Sequence, residues 1–440
     1  MYWNTAAMGI AACLIGLDGK AITKTIEDSL GKERLEENRN VLEASFRWIK
    51  KQAIESKKLF SISNPPQRLI MNGHEAVALG ALSAGIKFCS FYPMSPSTSI
   101  PQTLIHWSKE MNLMVEQAED EIAAINMAIG ASYAGVPSMV ATSGGGFALM
   151  VETVSLAAIT ETPIVIVIGQ RPGPATGLAT RTEQGELWFV LHAGHGEFPR
   201  AVFAPGTIEE CFHLTRKAFE LAEKFQGPMF VLTDHFLADS YRDMEYIDIK
   251  NLPFVKPGAD PSSIETPYLR YRMTESGVSP RLLPGLSKHL VVADSHEHTE
   301  SGHLTENLLI RPKMVDKRLR KGDGIRSEVI PPEFRGDENP EWLLISWGSS
   351  KGSVEESAFL LRSQGKKVAT LHFSQVWPIV PNQFMKYLEQ AGEVICIESN
   401  ATGQLAQLIR RETGFLIERR ISRYDGLVIT PEFILRHLKP

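Results

Sequence analysis

Cysteine is scarce in this chain: there are four in 440 residues, Cys13, Cys89, Cys211 and Cys396, and no C-x-x-C spacing to hold zinc or an iron–sulfur cluster. Three of them stand in apolar surroundings, which reads as reduced core thiols in a cytoplasmic protein. Long apolar runs are lacking as well. The segment Ala6 to Leu17 is too short to cross a bilayer and has no basic region ahead of it, so neither an anchor nor a signal peptide is expected. No sign of charge dominates: the net charge is -5, with Lys and Arg scattered, and nothing marks a nucleic-acid surface. Phosphate-binding glycine spacings are missing too. Gly144-Gly145-Gly146 follows a strand but fits neither G-x-G-x-x-G nor the Walker pattern, so a tight strand-to-helix turn is expected there. What remains is ordinary globular composition, 43% hydrophobic and 22% charged, in a chain long enough for two or three domains.

The order of elements suggests four regions. Residues 1 to 66 read as helices, Ala-rich from Thr5 and amphipathic over Ile22 to Leu30 and Glu33 to Lys51, until Asn64-Pro65-Pro66 breaks the pattern. Residues 67 to 241 alternate β and α, with strands expected at Lys87 to Tyr92, Ser138 to Thr142, Pro163 to Ile168 and Pro228 to Thr233. Near-continuous runs such as PIVIVIG predict a parallel sheet covered on both faces. Residues 242 to 325 read as an irregular connector. Three histidines between His296 and His303 suggest a metal site, but without a helical scaffold to aim them a solvated connector is the better reading, and Gly322-Asp323-Gly324 is taken as a loop. Residues 326 to 440 form a second, smaller α/β domain, with strands at Leu343 to Trp347, Lys367 to His372, Glu393 to Glu398 and Leu427 to Thr430. Gly348-Ser349-Ser350 reads as a strand-to-helix entry.

The most informative stretch is VEQAEDEIAAINMAIG, Val115 to Gly130. It places four carboxylates at the start of an otherwise apolar helix. At helical spacing Glu121 lies beside the stripe of Ile122, Ile125, Ala128 and Ile129, so it is expected to turn inward, where a carboxylate needs a partner. The competing reading is an acidic first turn that complements the helix dipole. Ligands of parallel sheets bind beyond the carboxyl ends of the strands. Two loops with unusual chemistry leave those ends, Tyr92 to Thr98 and Gln170 to Gly177.

Taken together these segments resemble the alpha subunits of 2-oxoacid:ferredoxin oxidoreductases, especially the 2-oxoglutarate type. Tyr92-Pro93-Met94-Ser95-Pro96-Ser97 is similar to that family's YPITPS loop, and Glu116 to Ala131 to its pyrimidine-side helix. Arg171 to Thr180 with Glu183-Gln184 is similar to its RPGPSTGLPT…EQ segment. His195 to Arg200, Asp234-His235, Trp347-Gly348-Ser349 and Glu398 to Leu405 also fit. Three positions depart from the pattern: Ser95 where threonine is usual, His74 for asparagine before Glu75, and Ala179 for proline. Residues 1 to 66 resemble only the final part of a gamma domain that some members fuse ahead of alpha.

The resemblance implies a pyrimidine-type thiamine-diphosphate-binding domain over residues 67 to 241 and a transketolase-C-terminal-like domain over residues 326 to 440. It implies that Glu121 meets N1′ of the cofactor's aminopyrimidine, with Tyr92 and Pro93 in the cofactor site. Ser95 and Arg171 would hold the carboxylates of a 2-oxo acid, and Thr180 would influence its choice. The reaction so implied is coenzyme A-dependent oxidative decarboxylation, most readily of 2-oxoglutarate to succinyl-CoA, with electrons passed to ferredoxin. The partners implied are a beta subunit carrying Mg2+ and a [4Fe-4S] cluster and sharing the thiamine diphosphate, a second copy of the heterodimer, and ferredoxin. No metal site, nucleic acid or membrane is expected for this chain. Pyruvate or a branched-chain 2-oxo acid is the alternative substrate, and a non-catalytic assembly subunit the alternative role.

Overall fold

The computed structural model describes residues 2–30, 34–52, 54, 64 and 66–438. The chain divides into two compact units, Met1–Gln67 and Arg68–Pro440. In the first, three helices, Trp3–Ile15, Gly19–Ser29 and Leu35–Lys51, bury Ala12, Ile22, Ile26 and Leu42. Close approach of the outer two depends on Gly9, where a Cβ would come 2.9 Å from Leu42 Cδ1. Thr5 Oγ1 donates to Asn38 Oδ1 at 2.5 Å across the same contact. Of the expected helix and break positions, Glu33 and Pro65 lie outside the described residues.

The second unit is built on three sheets. Its strands are β1 (Leu69–Met71), β2 (Phe88–Phe91), β3 (Met114–Gln117), β4 (Ser138–Thr142), β5 (Ile164–Gln170), β6 (Ala201–Phe203), β7 (Pro228–Asp234), β8 (Arg242–Met244), β9 (Glu333–Gly336), β10 (Trp342–Trp347), β11 (Val368–Phe373), β12 (Gln375–Trp377), β13 (Glu393–Glu398) and β14 (Arg419–Ser422). The largest sheet runs β12-β6-β7-β5-β4-β2-β3 and is parallel except for β12. Its middle strand β5, the PIVIVIG run, is buried at all seven residues, as a strand covered on both faces must be. The smaller sheet runs β14-β13-β10-β11-β9 and is parallel except for β9. β1 and β8 form an antiparallel pair.

The two larger sheets share one core. A single buried cluster joins Ile125, Phe147 and Ile168 beside the first sheet to Leu343, Trp347 and Cys396 of the second. Strand β12 strengthens the union: it leaves the second half of the chain and pairs with β6 at the edge of the first sheet. Nothing in a three-residue strand followed by Pro378 announces this from sequence.

Four expectations need correction. The region 242–325 is not irregular throughout, because Arg311–Ser327 is a helix and Gly322-Asp323-Gly324 lies inside it. The helix is held by its burial partners: Lys317 Nζ reaches Glu161 Oε1 at 2.7 Å, Lys321 binds the same carboxylate one turn on, and a Cβ on Gly324 would strike the Phe225 ring at 2.4 Å. Burial raises the Glu161 carboxyl, yet Lys321, Lys317 and Arg270 outweigh it and hold its pKa at about 2. Nor is the histidine segment wholly solvated. His298 is fully buried with its ring centroid 4.0 Å from that of Tyr271, while Glu297 is engaged by Arg311 and Arg318. The last strand is Arg419–Ser422, paired with β13, and Leu427 to Thr430 is not a strand. Finally Ile122 is 49% exposed, so the inward stripe of its helix is Glu121, Ile125, Ala128, Ile129 and Ser132.

Candidate active site

Four segments converge at the carboxyl ends of β2, β3, β4 and β5. After β2 the chain turns through Tyr92 to Thr98, and the loop is pinned by its own backbone: the Ser95 carbonyl accepts from Arg171 Nη1 at 2.6 Å and from Ser143 Oγ at 2.7 Å. The loop also leans on the end of β5, where a Cβ on Gly169 would lie 2.9 Å from Pro96 Cγ. Ser95 and Arg171 are therefore brought together, through the serine carbonyl, while the Ser95 side chain faces outward. Tyr92 and Pro93 are exposed beside it. Beneath the loop His74 is buried with Nδ1 2.7 Å from Ser99 Oγ, and burial, with His235 adding, lowers its pKa to about 3.

After β3, Asp120 caps the helix Glu121–Tyr133 by accepting from the Ala123 N–H at 2.7 Å. That division of labour explains the acidic cluster. Glu116, Glu119 and Asp120 are exposed, whereas Glu121, the first helical residue, is 4% exposed. Its Oε1 is buried without a hydrogen-bond partner. A buried, unpaired carboxylate oxygen is costly, so the position calls for a donor from outside the chain.

After β4, Ser143-Gly144-Gly145-Gly146 opens the helix Gly144–Ile159. Ser143 does not cap that helix with its side chain, because its hydroxyl is spent on Ser95. The glycines make room for acids. A Cβ on Gly146 would lie 2.6 Å from Glu121 Oε1 and 2.2 Å from Thr142 Oγ1, and one on Gly144 would lie 2.4 Å from Glu186 Oε1. Two glutamates thus pack against one helical turn.

β5 ends at Gln170, and after it come Arg171 and an exposed loop that folds back on itself, with Ala175 and Gly177 at positive φ. Arg171 is buried, and among the described residues Nη1 is its one nitrogen with a hydrogen-bond partner. Thr180 is exposed on this loop and makes no side-chain hydrogen bond among the described residues. Beyond it, Gln184 is fully buried: it donates to the Trp347 carbonyl at 2.7 Å and accepts from the Ser399 N–H at 2.9 Å. The motifs around Trp347 and Glu398 are therefore the dock on which the Arg171 loop is moored. Glu398 is itself saturated, accepting from Trp347 Nε1, Asn400 Nδ2 and the Leu405 and Ala406 N–H groups at 2.9–3.1 Å.

Glu186 escaped the sequence reading. It precedes the helix Leu187–His192 and looks like a helix start, yet its side chain makes no capping bond. Instead Gln170 Oε1 holds its backbone N–H at 3.1 Å, and its Oε2 is buried with no partner. Burial and neighbouring Glu183 raise its pKa, against the pull of Arg171, to about 8. The hint in sequence was an acid two residues after the Glu183-Gln184 motif, beyond Gly185.

The orphaned Glu121 oxygen and the glycine cradle fit a flat, hydrogen-bonding heterocycle such as an aminopyrimidine. Residues 79–314 match the family model described as "Pyruvate flavodoxin/ferredoxin oxidoreductase, thiamine diP-bdg". The chain is 34% identical over 442 residues to the "2-oxoacid:ferredoxin oxidoreductase 1, subunit alpha" of Sulfurisphaera tokodaii, covering 96% of this chain and 69% of that one. It is 32% identical over 363 residues to the "2-oxoglutarate synthase subunit KorA" of Archaeoglobus fulgidus, covering 82% of this chain and 96% of that protein. Among solved structures, the "2-oxoglutarate:ferredoxin oxidoreductase from Magnetococcus marinus with 2-oxoglutarate, coenzyme A and succinyl-CoA bound" superposes with a TM-score of 0.91 at 31% identity, over 99% of this chain and 77% of that one.

Proposed function

The chain belongs to the alpha subunits of the 2-oxoacid:ferredoxin oxidoreductases, and from that premise we propose that it supplies the pyrimidine half of a shared active site. The reaction is coenzyme A-dependent oxidative decarboxylation of a 2-oxo acid, with 2-oxoglutarate the first choice, and the electrons go to ferredoxin. The name of the Archaeoglobus fulgidus relative and the ligands bound in the Magnetococcus marinus structure support that choice of substrate. A beta subunit provides the diphosphate and magnesium cradle and the [4Fe-4S] cluster. This chain's own G-D-G tripeptide is helical and packed on Phe225, far from the geometry of a phosphate loop.

The observation that carries the reading is the buried, partnerless Oε1 of Glu121 against Gly146. Thiamine diphosphate, when bound, supplies the nucleophilic carbon and the electron sink for decarboxylation. The protein residues do the rest. Glu121 Oε1 would accept a hydrogen bond from a ring N–H, which favours the cofactor's basic tautomer. Arg171, with one N–H fixed on Ser95, turns the remainder of its fork toward a substrate carboxylate. The exposed Ser95 hydroxyl donates a second hydrogen bond to the same substrate, and Thr180 lines its far end. Gly144 and Gly146 keep the helix entry thin enough for cofactor and substrate to approach.

Calorimetry with thiamine diphosphate and Mg2+ tests the split site. The isolated chain should bind weakly or not at all, and co-expression with the beta subunit should restore binding. Tight binding by this chain alone would refute a site shared between chains. Dye reduction by the assembled complex with coenzyme A, across 2-oxoglutarate, pyruvate and branched-chain 2-oxo acids, then ranks the substrates.

A further inference from the structure

Arg171 is not alone in the substrate end of this site. Glu186 backs onto Gly144, on the same helical turn whose Gly146 backs onto Glu121, and its backbone is tied to Gln170, the residue before Arg171. One carboxyl oxygen lies against the turn and the other is buried with no partner. Such a group is stable only as the neutral acid or with a cation at hand.

We propose that Glu186 is a substrate-positioning residue: its neutral carboxyl stands beside Arg171 and donates to the carboxylate of the incoming 2-oxo acid, and its ionised form turns that carboxylate away. This rests on the functional reading above. Physically, the neutral acid leaves the charge of Arg171 free for the substrate, whereas the carboxylate would claim it and repel a second anion. The charged groups acting on Glu186 are Arg171 from the end of β5 and Glu183 from its own loop; Gln170 and Gln404, which also pack here, carry no charge. Burial and Glu183 outweigh Arg171, so the acid titrates at about 8, within reach of physiological pH.

Substrate binding should therefore be coupled to one proton. In the assembled wild-type complex, KM for 2-oxoglutarate should be flat below pH 8 and rise roughly tenfold for each further unit, with kcat little changed. Calorimetry in two buffers of different ionisation enthalpy should show uptake of nearly one proton per substrate at pH 9. Glu186→Gln keeps an N–H donor without the charge. It should weaken binding by about threefold at pH 7, remove the alkaline rise in KM and abolish proton uptake. A purely structural glutamate would move neither pH profile nor proton count. An alkaline rise that persists in Glu186→Gln, or a wild-type KM independent of pH, overturns the proposal. If the variant does not assemble, the wild-type proton count decides alone, and zero uptake overturns it. Failure of the wild-type complex to turn over any 2-oxo acid takes down the functional reading and this inference together, whereas turnover with no coupled proton removes the inference only.

Discussion

Each of the two large sheets brings a glutamate to its carboxyl end and buries it, and the two are treated in opposite ways. Glu398, the last residue of β13, accepts four hydrogen bonds from nitrogen donors of its own chain. Glu121, beyond β3, keeps Oε1 buried and unbonded. Glu186 repeats the pattern of Glu121 on the other side of the glycine turn. A carboxylate oxygen left buried and open carries a desolvation cost that an outside donor would relieve. The smaller sheet holds the Arg171 loop through Gln184, and on the proposed function the chemistry would fall to the larger one.

The sharpest way to break this comparison is to remove each acid in turn. Glu398→Ala strands Trp347 Nε1, Asn400 Nδ2 and two backbone N–H groups, and should cost on the order of 3–5 kcal/mol of stability, read as a clear drop in melting temperature. Glu121→Gln should do the reverse: melting no lower than wild type, but turnover of the complex down roughly 10²-fold or more, the scale of lost acid/base assistance. Equal stability losses in the two variants would erase the distinction between scaffold and site.

Arg171→Lys keeps the charge and loses the planar fork. With a desolvated charged hydrogen bond worth about 2–3 kcal/mol, kcat/KM for the oxo acid should fall roughly 30-fold to 150-fold. Undiminished oxo-acid affinity would take Arg171 out of the site. Gly146→Ala places a methyl 2.6 Å from Glu121 Oε1, within the turn that the model of the site keeps open, and should lower cofactor affinity by about tenfold while the complex stays folded. Gly352→Ala makes the matching control on the smaller sheet's side, because nothing lies within 4 Å of its added Cβ. The smallest effect belongs to Thr180, exposed and unbonded: Thr180→Val should alter the ratio of 2-oxoglutarate to pyruvate turnover by about threefold to tenfold and leave the better rate nearly intact. A constant ratio would confine specificity to other residues.

Legibility from sequence followed the range of the forces involved. The run PIVIVIG declares a buried parallel strand because apolar residues without alternation have no other use at that length, and β5 is buried throughout. Helical spacing turned Glu121 inward, since i, i+4, i+7 and i+8 share a face whatever the fold, whereas the acids beside it lie ahead of the helix. Spacing also misplaced Ile122 on that face, because it leaves the edges of a stripe undecided until a neighbouring sheet arrives.

What required the tertiary structure was every feature set by partners distant in the chain. Gly322-Asp323-Gly324 reads as a loop because glycine is a poor helix former, and it is helical because Glu161, more than 150 residues earlier, pairs with Lys317 and Lys321 on that helix. Strand β12 exists only because the edge of β6 is there to receive it. By itself the sequence determined the class of fold, the parallel sheets, the inward glutamate and the two loops at the strand ends, all of which depend on local periodicity and residue chemistry. Only the folded chain decided which carboxylates are satisfied and which, Glu121 and Glu186, are left open. Hydrogen-bond satisfaction is a property of the whole set of neighbours, and no window of sequence contains them.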